Sequence, residues 1–120
     1  MNRPHSIKIS MRRVAEATVL DLEGEIDVST ATIFRSKLFE TLTQTSRLAL
    51  NMSGVRYVDS AGIATLVEIQ MKAQQLEKSL ALFGLSTRVH DVLKLTRLLR
   101  YFQIFDNEEQ VIAEHNPSHG

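Results

Sequence analysis

Cysteine is absent from the chain. Disulfides, thiolate nucleophiles and thiolate metal sites are thereby excluded, and the composition is compatible with a reducing compartment. A surplus of either charge is also missing: 14 Lys and Arg stand against 14 Asp and Glu, for a formal net charge of zero. Nucleic-acid binders normally carry a basic excess, so no nucleic-acid partner is expected. The opening residues, Met1-Asn2-Arg3-Pro4-His5-Ser6, hold no apolar block of signal-peptide length. No apolar run anywhere approaches the roughly 20 residues of a membrane helix. A cytoplasmic protein without a membrane segment is expected.

Catalytic hardware is equally sparse. No Gly-rich run ends in Lys-Ser or Lys-Thr, so there is no phosphate loop. A Gly-x-Ser-x-Gly elbow around Ser60 would need glycine at the position held by Val58. A serine nucleophile also needs a base, usually histidine. His5 lies near the start, His115 and His119 lie near the end, and His90 falls early in a helical stretch and is expected to be exposed. Pro117 separates His115 from His119, which argues against a helix-borne metal pair. No enzymatic activity, cofactor or metal is expected.

What remains is an ordinary globular composition, 43% hydrophobic and 23% charged, in a length suited to one domain with its own core. Ile7, Ile9 and Met11 alternate with Lys8, Ser10 and Arg12, the period of a half-buried strand. After a break at 14–17, residues 18–22 read as a second strand ending near Gly24, and the short connection predicts a hairpin. Asp27-Val28-Ser29-Thr30 offers several helix N-caps, and Ala31, Phe34, Leu38 and Leu42 predict a helix over about 30–44. Leu48, Leu50 and Met52 predict a third strand closed at Ser53-Gly54. A second helix is predicted over about 61–77, with Gly62, Leu66, Ile69, Ala73 and Leu76 inward and Gln70 on the solvated side. Residues 80–83 form a fourth strand closed by Gly84. Ser86 caps a third helix whose Val89, Val92, Leu93 and Thr96 face inward. Residues 102–105 suit a last strand, and Asp106 with Glu109 has the spacing of a capping box for a final helix. Strands alternating with helices predict an α/β fold, a mixed sheet of four to five strands with helices packed on it. One domain, residues 1–113, is expected, with residues 114–120 as a flexible C-terminal tail.

The segment Val58-Asp59-Ser60-Ala61-Gly62 is where a strand-like run gives way to a helix. The carboxyl ends of strands are the usual functional edge of such sheets. Ser60 falls at or near the helix N-cap, and Ala61 and Gly62 are small enough for another molecule to approach the backbone. A phosphate on Ser60 would add about −1.5 to −2 charges and three acceptor oxygens. Serine ahead of a helix is most often only a cap, and the residues alone leave both readings open. A second feature is basic: Arg88, Lys94, Arg97 and Arg100 surround Asp91 in and after the third helix. They suit either a solvated face or an acidic partner. The acids Asp106, Glu108, Glu109 and Glu114 follow and are placed to neutralise the patch within the fold.

Three stretches together then resemble a known family. Leu22-Glu23-Gly24-Glu25-Ile26-Asp27-Val28-Ser29-Thr30-Ala31 is similar to the Gly-Glu-Leu-Asp segment of STAS domains, specifically the bacterial anti-sigma-factor antagonists. Tyr57-Val58-Asp59-Ser60-Ala61-Gly62-Ile63 is similar to their Asp-Ser-Ser-Gly phosphorylation motif. Val92-Leu93-Lys94-Leu95-Thr96-Arg97-Leu98, followed by Phe102-Gln103-Ile104-Phe105-Asp106, resembles the family's closing segment. The resemblance implies a single STAS-like domain and a phosphorylation-switched binding protein. In that family the unphosphorylated antagonist binds an anti-sigma factor that is also a serine kinase, which frees a sigma factor. The kinase phosphorylates the antagonist to release it, and a phosphatase resets the cycle. Carried over by residue, the phosphorylated serine falls on Ser60, and Asp27, Asp59, Ser60, Ala61 and Gly62 are expected at the partner contact. Three positions depart from the pattern: Ala61 replaces a small hydroxyl residue, Asn51 an aspartate, and Arg97 a glycine. The same fold also implies an alternative, a STAS regulatory subunit of an ABC-type lipid or anion transport complex.

Overall fold

A computed structural model describes residues 6–114. Strands β1 (Ile7–Val14) and β2 (Ala17–Ile26) form the expected antiparallel hairpin. The chain continues through α1 (Ala31–Thr43), β3 (Arg47–Val58), α2 (Ser60–Gln75), β4 (Ser79–Phe83) and α3 (Thr87–Leu95). A 3₁₀ turn (Leu99–Tyr101), β5 (Gln103–Phe105) and α4 (Glu108–Glu114) complete it. The strands form one sheet in the order β1-β2-β3-β4-β5, and every pairing after the hairpin is parallel. Each parallel return runs through a helix or helical turn, as parallel neighbours require. The architecture is the mixed α/β sheet that the alternation of elements predicts.

The helices divide unequally between the two faces. Phe34, Leu38 and Leu42 of α1, Leu66 and Ile69 of α2, and Val89 and Leu93 of α3 pack with Leu20, Leu50 and Leu82 of the sheet in the main core. Each such side chain contributes about 1.5–3 kcal/mol by leaving water. The opposite face carries a smaller cluster, in which Val111 of α4 meets Val19, Ala49, Ala81 and Phe83. β4 is therefore covered on both sides, which explains its near-continuous apolar run.

Several local expectations change. Ser53-Gly54 does not end the third strand. β3 runs on to Val58, and its register against β2 slips twice, between Asp21 and Glu23 and again between Gly24 and Glu25. These bulges absorb the turn-like pair inside the strand. β2 likewise continues past Gly24 to Ile26. Gln70 is buried at 7% exposure because its side-chain amide donates to the Tyr101 carbonyl at 2.8 Å. Leu76 and Thr96 are exposed at the ends of their helices rather than inward. The final helix is capped one residue later than expected. The Asn107 side chain accepts from the Gln110 amide at 3.0 Å, and the Gln110 side chain accepts from the Asp106 amide at 2.7 Å. Ser86 caps α3 as expected, accepting from the Val89 amide at 3.2 Å. Glu114, expected to begin the tail, is the last residue of α4, and the rest of the expected tail with His115 and His119, like His5, lies outside the described residues.

α4 is tied to the open sheet face by a charged clip. Arg12 of β1 hydrogen-bonds both carboxylate oxygens of Asp21 on β2 and Glu108 of α4. The Asn51 side chain adds a bond to Asp21 at 2.8 Å. Arg12 holds the Asp21 carboxyl below its ordinary range, assisted by Asn51 and opposed by partial burial. A depressed folded pKa means that this stabilisation is present above the unfolded value near 3.9 and is lost as pH falls through the folded one. The clip is partly exposed, so its worth is about 1 kcal/mol or less. Urea midpoints at neutral pH and near pH 2 should therefore fall further for the wild type than for Asp21→Asn; equal falls would remove the clip from acid unfolding.

Candidate functional site

Asp59 begins the site. It is the N-cap of α2, in extended backbone, with one carboxylate oxygen accepting from the Gly62 amide at 3.0 Å. Ser60, expected at or near the cap, is the first residue of the helix, next to the cap. Asp and Ser both cap well. A second bond decides between them, because the other Asp59 oxygen accepts from the Val28 amide, also at 3.0 Å. The Asp59 amide in turn donates to the Ile26 carbonyl at 3.1 Å. The β3–α2 junction is thus clasped to the loop between β2 and α1.

That loop is ordered from within. One Asp27 carboxylate oxygen accepts from the Ser29 amide at 2.9 Å and from the Ser29 hydroxyl at 2.6 Å. The buried Thr30 hydroxyl accepts from the Asp27 amide at 3.0 Å and donates to the Glu25 carbonyl at 2.8 Å. Thr30 makes no side-chain cap bond to α1; the Asp27 carbonyl takes the Thr30 and Ala31 amides instead. Asp27 is only 4% exposed, and its carboxylate shapes the loop from within.

The five candidate residues therefore differ in role. Ser60 is exposed, Asp59 and Ala61 are half-buried, and Asp27 and Gly62 are buried. Gly62 lies so close to β2 that a Cβ would stand 2.4 Å from the Ile26 carbonyl oxygen. Two residues missed by the sequence reading belong here. Val28, 78% exposed, is held beside Asp59 by its own amide, and Tyr57 is exposed two positions before Asp59. An apolar residue set between the polar Asp27 and Ser29 was the available signal for Val28.

Chemically, the site offers an accessible hydroxyl at a positive helix end. Asp59 satisfies the Gly62 amide and its carbonyl takes that of Ile63, leaving the Ser60 and Ala61 amides ahead of the first helical bond. An anion on Ser60 would meet these donors and the helix dipole. Among the described residues no cluster of His, Cys, Asp or Glu could hold a metal ion, and His90 is exposed on α3.

The STAS domain sequence profile matches residues 8–111. The chain belongs to the STAS domain family. A relative of this STAS domain, an anti-sigma F factor antagonist of Paenibacillus polymyxa, is 22% identical over 91% of the chain and 95% of its own length. An anti-sigma-B factor antagonist of Bacillus subtilis is 28% identical over 78% of the chain and 85% of its own length. The phosphorylated form of the Bacillus cell fate determinant SpoIIAA superposes with a TM-score of 0.69 at 19% identity, covering 91% of this chain and all of that one. That likeness is one of fold. Among the described residues of this STAS domain no helix is long and apolar enough to cross a membrane.

The clasp has a measurable consequence. Asp59→Ala removes the acceptor for two amides, one of them a cap bond, and should cost about 1–3 kcal/mol. Hydrogen exchange should accelerate at the Val28 and Gly62 amides together. Unchanged exchange at Val28 would show that the two loops hold their places without Asp59.

Proposed function

We propose that this STAS domain is an anti-sigma-factor antagonist. It binds an anti-sigma factor with serine-kinase activity while Ser60 is unphosphorylated and releases it once Ser60 carries phosphate. A phosphatase then restores the binding form. Ser60 gives the main support: it is the one exposed residue of the candidate set, on the first turn of α2, where a clasped and preformed surface surrounds it. The names of the two relatives agree with the role, as does the existence of a phosphorylated form in a protein of the same fold.

The geometry suits a switch at the docking surface better than one that unfolds the domain. Ser60 is exposed, and Asp59 already fixes the turn beneath it. Added charge and bulk therefore act on whatever docks there. The test is phosphate incorporation from ATP by a purified anti-sigma-factor kinase, read by intact mass. Wild type should gain one phosphate and Ser60→Ala none, with Ser60→Ala still bound by the kinase. Full labelling of Ser60→Ala would move the modification to another residue and end this assignment.

A further inference from the structure

We propose that the C-terminal end of α3 and the following 3₁₀ turn form a second docking surface, for an acidic protein segment that also carries an apolar side chain. This surface is separate from the Ser60 switch and does not depend on it. Leu95 stands at its centre, 83% exposed. Lys94, Arg97 and Arg100 are exposed around it, and Asp91 is the acid on this side. Arg88, seven residues before Leu95, lies two turns back on the same side of α3.

The cations are not consumed within the fold. The acids that follow in sequence were expected to neutralise them, and the structure directs them elsewhere. Glu108 bonds Arg12, and α4 lies on the opposite face of the sheet. Among the described residues Arg88, Lys94, Arg97 and Arg100 make no ion pair.

A plainer account is that cations near a helix C-terminus complement its dipole. That covers Lys94 and Arg97. It does not cover Arg88 in the first turn, where the dipole opposes a cation, nor the exposure of Leu95. Arg97 itself sits at φ 62°, closing α3 through the Leu98 amide to the Leu93 carbonyl, a position where glycine is less strained.

The shape favours a peptide over other polyanions. Two shallow recesses flank Leu95: one of about 390 Å³ lined by Lys94, Arg97, Leu99 and Arg100, the other of about 450 Å³ lined by Asp91, Lys94, Leu95 and Arg97. Each can seat a carboxylate side chain next to apolar surface. The chain has no net charge to draw it to a membrane or nucleic acid at long range, and Asp91 within the patch opposes a continuous polyanion. A short segment with a few carboxylates around one aliphatic residue matches both the charge and the exposed leucine.

The test is an NMR titration of the full ¹⁵N-labelled chain with a synthetic glutamate-rich peptide bearing a central leucine. Amide shifts should saturate at Lys94, Leu95, Arg97 and Arg100. The apparent Kd should rise about tenfold in the double variant Lys94→Glu, Arg97→Glu and several-fold in Leu95→Ala. Ser60→Asp should leave it unchanged. All substituted positions are exposed, and an unchanged amide spectrum elsewhere will establish that the variants fold. Shifts that fail to saturate, that fall on other elements, or that survive charge reversal would overturn the proposal. So would co-sedimentation with phosphatidylglycerol vesicles, or binding of a DNA duplex, in the absence of any peptide response.

Discussion

Gly62→Ala should lower the urea midpoint of the domain by about 1 M, although alanine is the better helix former. On an isolated helix the substitution would stabilise by up to about 1 kcal/mol. Here the new methyl would stand 2.4 Å from the Ile26 carbonyl oxygen, 2.8 Å from a Val58 methyl and 2.9 Å from an Ile26 methyl. The first of these is backbone of a central strand and cannot step aside. Either α2 lifts from β2 or Ile26 shifts, and overpacking of this kind costs about 1–3 kcal/mol. With a typical urea slope, that corresponds to the stated midpoint change. Lifting α2 also stretches the bond from the Asp59 amide to the Ile26 carbonyl, so the same variant should disturb the surface around Ser60. Ala64, exposed two residues later, is the control: Ala64→Gly should destabilise by about 0.5–1 kcal/mol, for propensity alone. A midpoint for Gly62→Ala equal to or above wild type would mean that close approach to β2 is not why glycine stands there.

Local signals in the chain were legible where local chemistry decides. Ser86 caps α3 because a serine followed by Val89 at helical spacing needs no distant partner. The hairpin follows from alternation on either side of a two-residue turn. Misreadings arose where a distant group chose between two suitable neighbours. Asp59 and Ser60 are both good caps, and the Val28 amide, 31 residues away in sequence, takes the second Asp59 oxygen and settles the choice. Asp106 and Asn107 compete in the same way, with Gln110 settling it. Ser53-Gly54 has turn composition, but pairing with β2 continues past it to Val58 and holds β3 extended, and bulges take up the misfit.

Individual long-range side-chain contacts were not legible. Nothing in the pattern of Glu108 says that it will meet Arg12 across 96 residues, so the acids after β5 seemed free to neutralise α3. The side of the sheet taken by α4 decides this, and it rests on Val111 finding the small surface left by Ala49 and Ala81. The candidate site was legible in its residues but not in their division of labour. Asp27 and Gly62 are buried and set geometry, while Ser60, Val28 and Tyr57 are exposed.

That division fixes the size of the expected switch. On the proposed function, Ser60→Asp should weaken binding of an anti-sigma-factor kinase at least about 30-fold, and phosphorylation should weaken it further, while Ser60→Ala stays within about threefold of wild type. Leaving a charge unpaired in a docked interface costs about 2–5 kcal/mol, and each 1.4 kcal/mol is a factor of ten. Within the free domain the same charge is nearly neutral. At a separation of about 6 Å in water, a dianion and the Asp59 carboxylate repel by about 1 kcal/mol. The α2 dipole and the Ser60 and Ala61 amides return a similar amount. The melting temperature of the phosphorylated form should therefore lie within about 5 °C of the unphosphorylated one. Calorimetric titration of the three forms against the kinase, beside their melting curves, measures both quantities. Lost binding accompanied by a large fall in melting temperature would mean that phosphate acts by unfolding the α2 N-terminus, and the surface mechanism would have to be abandoned.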